Sequence, residues 1–366
     1  MTRVVLAPDS FKGTITAADA AASLAEGWSS VEPTATFVHR PMADGGEGTV
    51  AAFDAAVPGA RRMPVVVDGP AGLPLETSWL LLPVSGDSPG GTAVVDLAST
   101  SGIELLDELR PWDADTSGFG QAIAAALDHG VTRLVVGIGS SASTDGGTGM
   151  LTALGARFLD AAGEPVARGA RGLADIASVD LSRLRTAPQV RVLTDVSNPL
   201  VGPRGAAAVF GPQKGLVGPE LDEVDAGLAG LAALLGLDSA LPGTGAAGGT
   251  GGALVVWGAT LAPGAAEVAD LIGLADAIAD ADHVITGEGS YDGQSGDGKV
   301  PSFIAGLAST TGATALLAAG RITADSDTAL FTASASLTEI AGSSDAALAD
   351  PARWLREAGA LLARSV

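Results

Sequence analysis

Short apolar segments alternate with helical ones at both ends of this 366-residue chain, while closely spaced strands fill its middle. Residues 4–7 read as a strand, 16–28 as a helix behind a Thr14 or Thr16 cap, 37–40 as a second strand and 49–56 as a second helix. The last eighty-five residues resume that rhythm, with strands at 283–286, 315–318 and 330–333 and helices from about Val300 and from Pro351. Such alternation predicts a parallel sheet flanked by helices. Between the two ends, 65–67, 78–82 and 93–97 are strand candidates separated by Gly-Pro turns, which suggests antiparallel pairing. A helix at 116–127 and a strand at 134–138 come next. The expected fold is α/β in two lobes: a parallel-sheet domain of residues 1–66 plus 282–366, and an inserted second α/β domain with a mixed sheet, residues 67–281.

Composition removes several classes of function. No apolar run approaches the ~20 residues that span a bilayer, and the chain opens directly on a strand, so neither a membrane nor an export role is expected. There is no cysteine, which excludes thiolate metal sites and thiol catalysis and suits a cytoplasmic location. His39, His129 and His283 share no metal-ligand spacing. A net charge of −22 opposes approach to nucleic acid. A small anion would therefore be held by local cations, backbone N–H groups or a metal. Homo-oligomers are compatible with the sequence.

Against that background the lysines stand out. The chain has only three, Lys12, Lys214 and Lys299, against seventeen arginines, and each lies in a short run of Gly, Pro, Asp, Ser and Gln. A compact ammonium can touch a phosphate or carboxylate oxygen without imposing the planar fork of a guanidinium.

Five loops adjoin predicted strands, where open α/β sheets gather ligands. They are 9–13, 44–49, 139–147, 195–199 with the nearby 211–215, and 287–299. The third, Gly139-Ser-Ser-Ala-Ser-Thr-Asp-Gly-Gly147, has the small residues and hydroxyls of an anion cradle opening a helix. Seven carboxylates, Asp9, Asp44, Glu47, Asp145, Asp195, Glu288 and Asp292, lie in these loops. Phosphoryl transfer uses carboxylates to hold Mg²⁺ and to accept the proton of the attacking hydroxyl. Two look-alike motifs fail. Gly293-Gln-Ser-Gly-Asp-Gly-Lys299 has Walker-A spacing, but Val300 replaces the metal-binding hydroxyl and the preceding strand ends too early. Gly243-Thr-Gly-Ala-Ala-Gly248 fits a dinucleotide pattern, yet it comes after a helix and Pro242 instead of a strand.

The ordered set Ala-Pro-Asp-Ser-Phe-Lys-Gly at 7–13, Met-Ala-Asp-Gly-Gly-Glu-Gly-Thr at 42–49, Ser-Thr-Asp-Gly-Gly at 143–147, Asp-Val-Ser-Asn-Pro-Leu at 195–200, Val-Phe-Gly-Pro-Gln-Lys-Gly at 209–215 and Thr-Gly-Glu-Gly at 286–289 resembles the bacterial glycerate kinase family, of the 2-phosphoglycerate-forming type. The resemblance runs the length of the chain. It implies D-glycerate and ATP as substrates, Mg²⁺ as cofactor, a flavodoxin/Rossmann-like domain interrupted by the second α/β domain, and reaction in a cleft between the two. The chain departs from the family pattern at Ser290-Tyr291, where many members carry an Arg and an aliphatic residue, and at Ser140, where a second Gly is frequent.

These readings assign roles. Asp195, at the end of a strand read at 190–194, is the expected general base, with Lys12 and Lys214 as its catalytic companions. Asp9, Ser10, Asp44, Gly45, Gly46, Asn198 and Gln213 are expected to hold the acceptor. Ser141, Ser143, Asp145, Gly146, Gly287, Glu288, Gly289 and Lys299 are expected at the nucleotide, and Glu288 and Asp292 at the metal. Two other functions fit the Gly-rich loops: a nicotinamide-dependent hydroxy-acid oxidoreductase, and a non-catalytic anion-binding regulatory protein.

Overall fold

The computed structural model describes residues 1–11, 13–292 and 299–366. They form two compact units. One comprises Met1–Asp44, Ala51–Pro58 and Pro263–Val366, the other Gly45–Val50 and Gly59–Ala262.

The first unit carries a five-stranded sheet in which every neighbouring pair is parallel. Across the sheet the strands run Thr36–His39, Arg3–Pro8, His283–Gly287, Thr314–Ala319 and Ala333–Ser336. Numbered along this unit alone, that is the 2-1-3-4-5 order of the flavodoxin-like doubly wound fold. Its central strands are covered on both faces, which is why they read as unbroken apolar runs instead of alternating ones. Val4, Val5, Leu6 and Ala7 are all fully buried, as are Leu316 to Ala319. Thr16 caps the Ala17–Ser29 helix by accepting from the Asp19 amide at 3.1 Å. That helix packs through Ala20, Ala21, Leu24 and Trp28 into a core shared with Leu355, Ala358 and Leu362 of the Pro351–Ala363 helix.

The second unit holds a mixed six-stranded sheet in the order Thr260–Ala262, Gln189–Leu193, Arg133–Gly137, Thr92–Asp96, Pro74–Leu82, Arg61–Asp68. The first four strands are mutually parallel, and the last two join by antiparallel pairing. The core of this unit gathers Phe119 and Ile123 of the Ser117–His129 helix against Val136, Leu151 and Leu228.

Two sequence expectations shift. The strand read at 330–333 forms at Ala333–Ser336, because Leu330 is half-exposed beside a turn while Ala335 and Ser336 are buried. The second unit spans Gly45–Val50 and Gly59–Ala262, where the sequence suggested an insert of 67–281. Arg61–Asp68 pairs along its whole length with Pro74–Leu82, so residues 61–66 go with the mixed sheet. Among the described residues, no helix is long and apolar enough to cross a membrane.

Candidate active site

In the first unit the carboxyl ends of all five parallel strands open onto one cavity of about 490 Å³. Asp9 follows the Arg3–Pro8 strand, Asp44 follows Thr36–His39, and Glu288 and Gly289 follow His283–Gly287. Gly320 and Arg321 follow Thr314–Ala319, and Thr338 follows Ala333–Ser336. This is the edge at which doubly wound sheets bind ligands, because the strands end there and loops with free backbone groups begin.

The loops are tied to one another by the main chain. The Asp9 amide donates to the Gly287 carbonyl at 2.8 Å, and the amides of Gly320 and Arg321 donate to the carbonyls of Glu288 and Gly289 at 3.0 and 3.1 Å. Gly287 has to be glycine, since a Cβ on it would stand 1.8 Å from the Ala318 carbonyl oxygen on the adjacent strand. Asp9 is almost fully buried, and its Oδ1 accepts from the Ser10 amide at 2.7 Å.

Charge converges at the same place. Lys299 Nζ lies 3.9 Å from Glu288 Oε2 and 3.6 Å from Asp292 Oδ1. Lys299 also stands at the cap position of the Val300–Thr311 helix, where the first backbone N–H groups favour an anion. Arg321 adds a second cation, its guanidinium donating to Ser290 Oγ at 3.3 Å. A positive group thus stands next to the position at which this chain departs from the family pattern. Mg²⁺ prefers hard oxygens and commonly takes only one or two carboxylates, with phosphate and water completing the shell. Glu288 and Asp292, brought to a common lysine, fit that demand, although no group of three metal-binding side chains gathers among the described residues.

The second unit contains a different arrangement. Lys214, in the turn Pro212–Lys214, is only 2% exposed, and its Nζ donates to Ser141 Oγ at 2.7 Å and to the Ser143 carbonyl at 2.5 Å. Burial pushes its ammonium down to about 7 against the pull of Asp145. Asp145 is fully buried as well. Its carboxylate accepts from Ser143 Oγ (3.2 Å), the Gly147 amide (3.0 Å), the Thr116 amide and hydroxyl (3.0 and 2.8 Å) and the Gly149 amide (3.2 Å). Burial, then the neighbouring Asp115, raises its pKa above the ordinary carboxylate value. Asp115 in turn holds Arg168 through two hydrogen bonds.

The loop whose composition suggested an anion cradle is therefore folded around an internal carboxylate. Ser141 and Ser143 are buried with it, and Gly146 approaches Leu231 too closely for a side chain. Ser140 enters this loop with φ of +58°, a left-handed conformation that costs a non-glycine residue about 1 kcal/mol. A glycine would meet no such cost there.

The remaining expected residues are dispersed. Asp195 is exposed just past the Gln189–Leu193 strand, and Gln213 is exposed too. Asn198 spends its amide on the Arg204 carbonyl at 2.8 Å. Gly45 and Gly46 fall in the second unit, where Gly45, with φ of +96°, has no room for a Cβ against the Leu193 carbonyl. Lys12 lies outside the described residues, as does 293–298 of the Walker-like stretch. The Gly243–Gly248 look-alike contributes no strand-to-helix phosphate turn; it leads into a short turn at Ala246–Gly249 in which Ala247 is itself left-handed. Sequence reading missed Arg321, Thr338, Asp115 and Arg168. The first two could have been found by the rule that located Asp9, since each follows a parallel strand. Asp115 and Arg168 meet only through tertiary packing, 53 residues apart.

A doubly wound α/β unit with lysine, arginine and paired carboxylates at its switch edge has the groups with which folds of this class hold small anionic ligands. The chain belongs to the glycerate kinase family, whose profile matches residues 4–366. It is 44% identical to the glycerate kinase of Bacillus subtilis (strain 168) over 229 residues, 61% of this chain and 58% of that protein. To the glycerate 2-kinase of Escherichia coli (strain K12) it is 40% identical over 238 residues, 64% of this chain and 61% of that protein. The matched part thus spans about three fifths of each of these curated relatives. A crystal structure from Salmonella typhimurium LT2, described as a candidate glycerate kinase 2, superposes with a TM-score of 0.84 at 37% identity, covering 99% of this chain and 97% of that one.

Proposed function

We propose that this protein transfers the γ-phosphoryl group of ATP to the 2-hydroxyl of D-glycerate, with Mg²⁺ accompanying the nucleotide. The observation that carries the reading is the convergence of Glu288, Asp292 and Lys299 on the cavity at the carboxyl edge of the parallel sheet. Family membership supplies the acceptor. Magnesium held by Glu288 and Asp292 would neutralise phosphate charge. Lys299 and the helix N-terminus behind it would offset the charge that remains. Asp9, Ser10 and Asp44 line the same cavity and are proposed to orient the acceptor. Asp195 is proposed as the base that takes the hydroxyl proton, so that the attacking oxygen becomes nucleophilic as the bond to phosphorus forms. Lys214 is assigned a positioning role, holding the Ser141–Ser143 loop from behind.

A coupled ADP-release assay with D-glycerate, ATP and Mg²⁺ tests the reaction, and phosphorus NMR of the product tests the regiochemistry. ADP release dependent on D-glycerate, with 2-phosphoglycerate accumulating, is the expected result. 3-Phosphoglycerate as sole product would overturn the regiochemistry, and an absence of glycerate-dependent ADP release would overturn the kinase reading.

A further inference from the structure

The lining of the cavity at the sheet edge is chemically mixed, and only part of it suits phosphate or glycerate. Its polar part is built from Asp9, Asp44, Glu288, Asp292 and Lys299. Another part of the lining is an apolar wall from segments C-terminal to the last strand: Leu337 of the Leu337–Ala341 helix, Ala347 and Leu348 of Ser344–Ala349, and Pro351 at the start of the C-terminal helix. Leu337 and Ala347 are buried, whereas Leu348 is 60% exposed, a large apolar side chain left open to solvent in the lining of a cavity. Glycerate carries an oxygen on each of its three carbons and offers no apolar face to such a wall. A triphosphate offers none either. At about 490 Å³ the cavity is also in the range that encloses a drug-sized ligand, beyond what a three-carbon acid fills.

We infer that the wall formed by Leu337, Ala347, Leu348 and Pro351 is the base subsite of the nucleotide, with the purine ring lying against Leu348 and the phosphates directed toward Lys299. The inference rests on the reading of the protein as an ATP-dependent kinase and adds which part of the chain recognises the base. It assigns function to the C-terminal segment 337–351, which contains none of the family-like motifs. A flat aromatic ring against aliphatic side chains buries apolar area on both partners, the usual source of affinity in such pockets. Since Leu348 is solvent-exposed, its replacement leaves the protein core untouched.

The test is calorimetric titration of ADP into wild type, Leu348→Asp and Leu348→Met in the absence of glycerate, with inorganic tripolyphosphate as a second probe. Expected is ADP binding to the wild type and to Leu348→Met, a Kd weaker by about tenfold or more in Leu348→Asp, and a smaller change in tripolyphosphate binding across the three. Equal ADP affinity in wild type and Leu348→Asp would overturn the base subsite while leaving nucleotide binding intact. So would a loss in Leu348→Asp that is just as large for tripolyphosphate, because the new carboxylate would then be acting on the phosphates. A wild type that binds no ADP would overturn the kinase reading itself, and the subsite with it.

Discussion

The ammonium of Lys214 lies 2.7 Å from the hydroxyl of Ser141, at a position almost wholly closed to solvent. A second bond to the Ser143 carbonyl leaves little freedom for a bulkier cation. Lys214→Arg should therefore damage stability as well as rate, since extra atoms in a packed site cost about 1–3 kcal/mol. Lys299, whose side chain is 39% exposed, has more room around it. Lys299→Arg should keep the wild-type Tm while raising the KM for ATP. Scanning calorimetry of the two variants separates them, and an unchanged Tm for Lys214→Arg would show that the turn Pro212–Lys214 can yield.

The same burial makes a pH prediction. The folded-state value for Lys214 is about 7, against 10.5 for an ordinary lysine. Below about 7 both folded and unfolded chains carry the proton, and the cost of burying the cation is fully felt. Between the two values the unfolded chain holds a proton that the folded one has released, so stability rises with pH through that window. Urea unfolding of the wild type should show this rise relative to Lys214→Met from pH 7 to 10. A parallel course of the two proteins would mean that Lys214 stays charged beside Asp145.

Much of the first unit was legible because buried parallel strands are written as short apolar runs. Leu6 and Ile285 are adjacent in the sheet across nearly 280 residues of sequence, yet each announces itself locally. Loops at the carboxyl ends of those strands followed by rule, and Asp9, Asp44 and Glu288 line the cavity as their positions implied. Ser143 and Asp145 were harder. A Gly/Ser loop around a ligand anion and one around its own carboxylate have the same composition, and only the five donors gathered on Asp145 tell them apart. Leu348 drew no attention in the sequence, because exposure beside a cavity has no sequence signature.

Two glycines should respond in opposite ways to alanine. At Gly287 the new methyl would meet the Ala318 carbonyl oxygen at 1.8 Å, so the His283–Gly287 and Thr314–Ala319 strands must separate. A loss of about 3 kcal/mol or more is expected, at the upper end for overpacking. Gly306, inside the Val300–Thr311 helix, has nothing within 4 Å of its would-be Cβ. Gly306→Ala should stabilise by about 0.5–1 kcal/mol through helix propensity. Denaturant midpoints measure both, and a neutral Gly287→Ala would contradict the strand spacing.

Glu288 and Asp292 face Lys299 together, so removing one carboxylate charge should weaken the metal more than the nucleotide base. In Glu288→Gln or Asp292→Asn the Mg²⁺ concentration for half-maximal activity should rise by roughly tenfold. Nucleotide binding measured without metal should hold or improve, since a negative charge has gone from beside the phosphates. Wild-type Mg²⁺ dependence in both variants would move the metal to Asp9 and Asp44, the other carboxylates of the cavity.

The proposed base makes the sharpest kinetic prediction. Asp195 follows the Gln189–Leu193 strand at the carboxyl edge of the mixed sheet and is exposed. Asn198 donates to the Arg204 carbonyl, and Lys214 to the Ser141–Ser143 loop. Asp195→Asn keeps size and shape while losing the proton acceptor. Loss of a general base typically lowers kcat by about 10²–10⁴-fold. Glycerate and ATP should still bind with near wild-type affinity, because the base acts on a proton that moves only as the phosphoryl group transfers. A folded Asp195→Asn enzyme with near-normal kcat would remove Asp195 from the role. Asp44, which lines the cavity in the first unit, would then be the carboxylate to test next.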